Sequence, residues 1–220
     1  MSSTDDATPA TAAVGDGDEA IAYSDYAARS RVTQQHLLDT AVDVLIEHGY
    51  SGASTLKIQQ RAGVSRGRLL HQYPHRDALL VAAVQHIAEG RVMATHRIEG
   101  WPTDPVERVG LAIESMWSTY HQGYFWAATE LWLAARQNTA LADALRPREH
   151  ALGAAIREAV DAMFGPDITA RPGYSTMREI INSSMRGVAL TYAFDPRDHE
   201  VDPYLVTWKN LALRELGLDG

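Results

Sequence analysis

The segment from Ser54 to Pro74 constrains the fold most, because it predicts two short helices separated by one tight turn. Ser54, or Thr55 beside it, can cap the first helix, and Gly63 ends that helix as a C′ residue would. Ser65 caps the second helix, and Pro74 stops it. A short helix, a glycine turn and a second short helix are the layout of a helix-turn-helix.

Hydrophobic periodicity predicts helices along the rest of the chain and no convincing strand. A helix near residues 31–48, which Gly49 ends, precedes the helix-turn-helix, and a helix near Arg76 to His96 follows it. End signals and apolar stripes predict the later helices: one that Asp104-Pro105 opens, with Val106, Val109, Ile113, Met116, Trp117 and Tyr120 facing inward, then Tyr124 to Ala135, Asn138 to Met163, one through Met177, and one from Asp202-Pro203 to Gly217. The predicted fold class is all-α, with about nine helices in an N-terminal three-helix domain and a C-terminal helical bundle.

Charge divides the chain into three parts. Residues 1–28 hold six acids and no Lys or Arg, a net of −6, and so few large apolar groups that we expect a disordered acidic tail. Residues 29–86 hold seven Lys and Arg against four acids, a net of +3. Residues 87–220 hold thirteen against eighteen, a net of −5, within a total of −8. The predicted domains follow these three limits, and the basic one contains the helix-turn-helix.

Composition excludes several classes of protein. The chain has no cysteine, which rules out disulfides and thiolate metal sites. The longest apolar run, Ala78 to Val84, is far shorter than the ~20 residues of a membrane span, and no secretory signal is present. His71 and His75 are four residues apart, but Pro74 breaks the helix that would align them. We therefore expect a cytoplasmic protein with no metal, no cofactor and no membrane partner.

The second short helix is predicted to expose one polar face. On a helical wheel, Leu69 and Tyr73 point the same way and can be buried. The opposite arc contains Gly67, Arg68, His71 and Gln72. The major groove of DNA admits one α-helix, and Arg, Gln and His side chains can bond to base edges there. The alternative for each polar residue alone is an ordinary solvated helix face.

The same region resembles the DNA-binding signature of the TetR (tetracycline-repressor-like) family over roughly residues 30–85. The resemblance is carried by Gly49-Tyr50, Ser54, Ile58, Ala62-Gly63-Val64-Ser65, Gly67, Leu69, Tyr73-Pro74, Arg76 and Ala78-Leu79-Leu80. It implies a homodimeric repressor with residues 29–86 as its DNA-binding domain and 87–220 as its ligand-binding and dimerisation domain. The residues that it assigns to bases or phosphates are Ser54, Ser65, Arg66, Gly67, Arg68, His71, Gln72 and Arg76.

Three positions depart from the family pattern. Leu70 stands where a tyrosine that reaches the DNA backbone is common, Gln59 replaces a small alanine, and Arg68 replaces a small hydroxyl residue. We interpret Arg68 as a guanine-reading residue, because bidentate contact of arginine with guanine is the commonest specific contact. Capping is an equally good explanation for Ser54 and Ser65, but capping and phosphate binding use the same end of a helix.

The C-terminal bundle contains an unusual density of Trp and Tyr, which carry polar groups that need partners when buried. Such residues are more often core than pocket, but with Met they could line a cavity for an apolar or aromatic small molecule. The candidate pocket residues are Trp117, Tyr120, Tyr124, Phe125, Trp126, Glu130, Trp132, Met163 and Met185. Glu130 would either anchor that ligand or lie on an exposed strip.

The last two helices have long apolar faces that suit either internal core or a four-helix interface with a second copy. The candidate interface residues are Met177, Ile181, Val188, Leu205, Trp208 and Ala212. Two modules about one DNA turn (~34 Å) apart are also what a helix-turn-helix needs to bind a palindrome. We therefore expect a homodimer on a palindromic double-stranded operator.

The sequence favours a DNA-binding transcriptional repressor that a small, largely apolar or aromatic effector releases from its operator. An enzyme is not expected, because the chain shows no nucleophile–base pair, phosphate loop or metal spacing. The alternative is a helical adaptor whose helix-turn-helix contacts protein, which only the acidic tail and Leu70 support.

Overall fold

A computed structural model describes residues 16–95 and 100–219 of the chain. That part of the chain is helical and contains no strand, as the sequence predicts, with ten α-helices and one short 3₁₀ turn at His199–Val201. The helices are α1 (Asp16–Gly52), α2 (Thr55–Ala62), α3 (Arg66–Gln72), α4 (Arg76–Thr95), α5 (Pro105–Thr119), α6 (Gly123–Ala135), α7 (Thr139–Phe164), α8 (Pro166–Thr169), α9 (Tyr174–Thr191) and α10 (Pro203–Glu215).

The first helix begins earlier than the sequence predicts. Helix α1 begins at Asp16, so residues 16–28 of the predicted disordered tail are helical, while residues 1–15 lie outside the described part of the chain. The physical reason is that this stretch opens with acidic residues, which the positive end of the helix dipole favours, and continues with alanines of high helix propensity. Near its end, Gly49 (φ 66°, ψ 174°) interrupts α1 at the predicted position.

Hydrogen bonds at the helix ends build the helix-turn-helix. Ser54 Oγ accepts from the backbone N–H of Lys57, and Ser65 Oγ accepts from that of Arg68, each over 3.3 Å. Gly63 takes the left-handed conformation (φ 65°) that ends α2. Ile58, Leu69 and other apolar residues of α2 and α3 join α1, α4 and part of α6 in one core. The two short helices are therefore held by a shared core and not by their own length.

A second core fills the C-terminal bundle and draws on α5, α6, α7, α9 and α10. The predicted inward stripe of α5 is buried, except that Val106 is 42% exposed. Helix α6 contributes Leu131 to the first core and Phe125 to the second, and Trp132 packs against both. Helix α4 runs across the predicted boundary at residue 86. Helices α4 and α6 therefore connect the two parts of the protein.

Candidate DNA-binding surface and internal cavity

The polar face predicted for α3 lies on the outside of the protein. Leu69 is buried, and Tyr73, which follows the helix, is buried with its hydroxyl hydrogen-bonded to the side-chain amide of Gln34 at 3.2 Å. On the other side, Arg66, Gly67, Arg68 and His71 are exposed, and Gln72 is half-buried. No atom outside the helix approaches within 4 Å of where a Cβ on Gly67 would stand. The backbone at Gly67 is therefore open to a large partner.

The two capping serines differ in accessibility. Ser65 is exposed at the start of α3, whereas Ser54 is half-buried at the start of α2. Both hydroxyl oxygens accept a backbone N–H, as the capping explanation requires. The hydroxyl proton of each serine still leaves one donor for a phosphate oxygen.

Arg76, which the family resemblance assigns to a phosphate, is turned toward its own domain. Its guanidinium lies 4.2 Å from the centroid of the Tyr50 ring, and its Nη1 donates to the Tyr50 carbonyl oxygen at 3.2 Å. It also contacts Asp77, with Nε 3.4 Å from Oδ1. A phosphate contact by Arg76 would have to compete with these interactions.

A cavity of about 500 Å³ lies among α4, α5, α6, α7 and α9. Five of the nine predicted pocket residues line it, namely Tyr120, Tyr124, Phe125, Trp132 and Met163. The wall also includes residues that the sequence did not single out: Val84, Ala88, Arg91, Met116, Glu149, Ile156, Asn182 and Arg186. The cavity is thus largely apolar, with a few polar groups, which is typical of a small-molecule site.

The other four predicted pocket residues lie elsewhere, and the prediction for them is wrong. Trp117 is buried in the second core and donates its Nε1–H to the His199 carbonyl oxygen at 2.9 Å. Met185 is fully buried in the same core. Trp126 and Glu130 face a separate, more open depression on the other side of α6. A helix that is apolar nearly all round gave no signal of which side would face a cavity.

Burial perturbs the polar groups of the cavity. The Tyr120 hydroxyl donates to the Asn182 side chain at 2.6 Å, and burial raises the pKa of Tyr120 to about 12. Desolvation also raises the pKa of Glu149, although Arg186 and a hydrogen bond from Trp132 act in the opposite direction. The tyrosine is therefore neutral at physiological pH, while Glu149 is biased toward its protonated form.

A polar junction joins the cavity wall to the helix-turn-helix domain. Glu130 Oε2 on α6 accepts the backbone N–H of Tyr50 at 2.8 Å, directly after the break at Gly49. The Tyr50 hydroxyl donates to Asp77 Oδ1 at 2.9 Å. Asn138, which caps α7, donates its side-chain N–H to both the Tyr50 hydroxyl and Asp77 Oδ2, each at 3.2 Å. Glu130 is thus neither a ligand anchor nor part of an exposed strip, the two alternatives that the sequence suggested, because it binds the neighbouring domain.

The predicted dimer residues lie inside the protomer. Four of them, Met177, Ile181, Trp208 and Ala212, are at most 2% exposed, and Val188 and Leu205 pack against the same core. A second copy cannot reach the buried four, so the prediction is wrong for them, whereas for the half-buried Val188 and Leu205 it stays a prediction. The exposed apolar side chains of this region are instead Ile180, Leu190, Phe194, Val201, Tyr204 and Val206.

Two features are absent among the described residues. No helix in the described part of the chain is long and apolar enough to cross a membrane. Within the same residues, no three His, Asp or Glu side chains come together as a metal site would require.

A helix-turn-helix with an exposed polar second helix, joined to a helical bundle with a cavity, defines the class of DNA-binding transcriptional regulators. Residues 37–83 match the tetR family of bacterial regulatory proteins, so the helix-turn-helix region is similar to that of TetR-family regulators. Regulators of the family bind DNA and small-molecule ligands and are in general not enzymes.

Solved structures show the same fold. The chain is similar to GusR of Salmonella enterica, with 18% identity over 84% of this chain and 95% of that one and a TM-score of 0.59. It is similar to a TetR transcription regulator from Haloarcula marismortui, with 22% identity over 85% and 97% and a TM-score of 0.56. It is also similar to FadR of Bacillus subtilis in complex with stearoyl-CoA, with 15% identity over 83% and 97% and a TM-score of 0.58. A comparison with curated proteins found no match.

Proposed function

We propose that this protein is a homodimeric transcriptional repressor that binds a palindromic operator and leaves it when an effector fills the cavity. The observation that carries the proposal is the connection between the two sites. Helix α6 lines the cavity with Tyr124, Phe125 and Trp132, and its Glu130 binds the backbone where α1 turns toward α2. An effector that moves α6 would therefore move the helix-turn-helix domain.

The DNA contacts of the proposal follow from exposure and charge. Arg66, Arg68 and His71 are exposed on α3, in the segment whose net charge is +3 within an acidic chain. Arg68 is assigned to direct base reading, and Ser65, exposed at the start of the helix, to a phosphate. Ser54, Gln72 and Arg76 are half-buried, so we assign them supporting contacts that form once the groove is engaged.

The dimer of the proposal uses the outer face of α9 and α10. Ile180, Leu190 and Val206 are 55%, 41% and 62% exposed, and Phe194, just after α9, is 79% exposed. Exposed apolar side chains that cluster on neighbouring helices are typical of a protein interface. A symmetric pair of such faces would form a four-helix contact and set the spacing of the two recognition helices.

The effector of the proposal is a small, largely apolar molecule, because apolar residues dominate the cavity wall. FadR of Bacillus subtilis, similar in fold, is described in complex with stearoyl-CoA, which has a long apolar chain. Release requires that the effector bind one spacing of the recognition helices more tightly than the other.

Selection of bound fragments from random duplex DNA tests the proposal. The expected result is a palindrome whose half-sites are about one helical turn apart. Arg68→Ala should stay folded and dimeric but lose about 5- to 150-fold of its preference at one base pair, since a bidentate pair contributes about 1–3 kcal/mol. Arg214→Ala, which removes an exposed arginine of α10, is the matched control and should keep the preference.

Two results would count against it. Unchanged base preference in Arg68→Ala would remove α3 from base reading. Phosphate contacts make the affinity for DNA highest at low salt and lower it steeply as salt rises. Failure to retain any duplex at low salt would therefore favour an adaptor.

A further inference from the structure

The wall of the cavity carries three charged side chains on three helices. Arg91 lies on α4, Glu149 on α7 and Arg186 on α9. The neighbouring tyrosines, Tyr120 and Tyr124, have pKa values raised by burial and are neutral. The described wall of the cavity therefore carries two guanidinium groups and one carboxyl group.

Aromatic rings support both guanidinium groups. Arg186 lies over the Trp132 ring, 5.6 Å from its centroid, and Arg91 lies over the Tyr124 ring at 4.5 Å. A cation above an aromatic ring is attracted by it, and a carboxylate can still bind to the N–H groups of the guanidinium. The contact with the ring restricts each arginine before an acid arrives, which lowers the entropy cost of binding.

Glu149 does not cancel this charge fully. Its Oε1 atom is buried and has no hydrogen-bond partner, and burial raises the pKa of its carboxyl group. A carboxyl group in this state can take up a proton and donate it to a bound acid, as paired carboxyl groups do when they share one proton. The cavity wall therefore contains one carboxyl group that can become neutral and two guanidinium groups that attract an anion.

We propose that the cavity selects an apolar or aromatic molecule that ends in a single carboxylate, with Arg186 as the main residue that recognises the acid group. Arg91 adds positive charge from α4, and the apolar wall takes the body of the molecule. This assignment rests on the proposed function, because it names the class of the effector for the same site. The volume of about 500 Å³ is within the range of small-molecule pockets.

The test compares ligands of one shape and different charge on the full-length protein without DNA. Decanoate, decanol and decylamine form one set, and phenylbutyrate, phenylbutanol and phenylbutylamine form the other. Titration calorimetry at neutral pH should give a carboxylate affinity at least about tenfold above that of the alcohol in one set or both, with the amine weakest. A tenfold ratio corresponds to about 1.4 kcal/mol.

Two variants, one that removes a positive charge and one that removes a negative charge from the cavity wall, make the test specific. Arg186→Gln should remove the advantage of the carboxylate over the alcohol and leave the affinity of the alcohol unchanged. Glu149→Gln should leave the carboxylate affinity equal or higher. Arg146→Gln, which removes an exposed arginine of α7 outside the cavity wall, should change nothing and controls for overall charge.

The inference is overturned if the alcohol or the amine binds as tightly as the carboxylate, if none of the six compounds binds, or if Arg186→Gln keeps the preference while its helical content and melting temperature match those of the parent. Each of these results leaves operator binding by the ligand-free protein as an independent measurement. Failure of the ligand class and failure of the proposed repressor can therefore be told apart.

Discussion

The hydrogen bond between Glu130 and Tyr50 yields the sharpest prediction about how the two domains are joined. At Gly49 the backbone (φ 66°, ψ 174°) leaves the helical conformation, so the N–H of Tyr50 points away from the α1 ladder and toward α6. A Cβ at position 49 would stand 3.2 Å from Glu130 Oε2. Only glycine adopts this conformation without strain, and only glycine leaves full room for the carboxylate.

Replacing Glu130 by alanine removes a charged acceptor from a partly buried N–H. Hydrogen bonds to charged groups contribute about 1.5–3 kcal/mol, and water can partly replace the acceptor at this site, so we expect a loss of about 1–2 kcal/mol. For a chain of this size each 1 kcal/mol lowers the melting temperature by about 2–4 °C. Because the change is local, protection of the Tyr50 amide should fall by about tenfold or somewhat more.

Hydrogen exchange of the Tyr50 amide, followed by NMR, measures this directly, and a thermal melt measures the global effect. Glu130→Gln keeps a neutral acceptor and should lose less than half as much protection. Glu89→Ala, at an exposed position of α4, should lose none. If Tyr50 exchanges at the parental rate in Glu130→Ala, the hydrogen bond does not join α6 to the helix-turn-helix domain, and the proposed route from cavity to DNA fails.

Three further predictions concern the turn, the interface and pH. Gly49→Ala should lower the free energy of unfolding by about 1–3 kcal/mol in denaturant titrations, because its backbone conformation is strained for any other residue, and an unchanged midpoint would contradict this. Leu190→Arg on the outer face of α9 should convert the proposed dimer to a monomer in sedimentation velocity, whereas Leu133→Arg, at an exposed site on α6, should not; a dimeric Leu190→Arg protein would place the interface elsewhere. The His121 ring stacks on His199, and burial followed by that neighbour lowers the pKa of His121 from 6.5 to about 4. Below pH 6.5 His121 therefore binds a proton in the unfolded chain but not in the folded protein until about pH 4. The free energy of unfolding should decrease as the pH is lowered through this range, by about 1–2 kcal/mol after allowance for solvent screening. His121→Gln should make the melting temperature less dependent on pH between pH 7 and pH 5.

The helix-turn-helix could be predicted in detail because local chemistry determines it. Ser54, Gly63 and Ser65 occupy the cap positions that their side chains and backbone freedom predict, within one or two residues of the observed helix ends. The wheel of α3 placed Leu69 inward and Arg68 outward correctly, because Leu69 and Tyr73 lie four residues apart on one side of the helix. Arg76 was different, because its ring partner Tyr50 is distant in sequence and only the fold brings them together.

The bundle could be predicted only in outline. Periodicity identifies the side of a helix that is buried, but it does not say whether that side meets its own core, a cavity or a second copy. Ile181 and Trp208 satisfied the apolar pattern of an interface and are core, whereas the exposed Leu190 and Val206 break that pattern. Arg186 is exposed and directly follows buried Met185, so its place on the cavity wall depends on how α9 packs, which periodicity does not predict.

The apolar character of α6 has a physical explanation that bears on signalling. A helix that packs against both cores and also lines a cavity has little surface left for solvent, so its sequence is apolar on nearly every side. Glu130, the one charged residue in α6, binds the DNA-binding domain instead of water. Because packed cores shift between discrete arrangements and do not deform smoothly, a ligand that displaces α6 has to carry α1 with it or break the contact at Tyr50. Helix α6, which makes the cavity apolar, is thus also the element through which a ligand in the cavity would change the position of the helix-turn-helix domain.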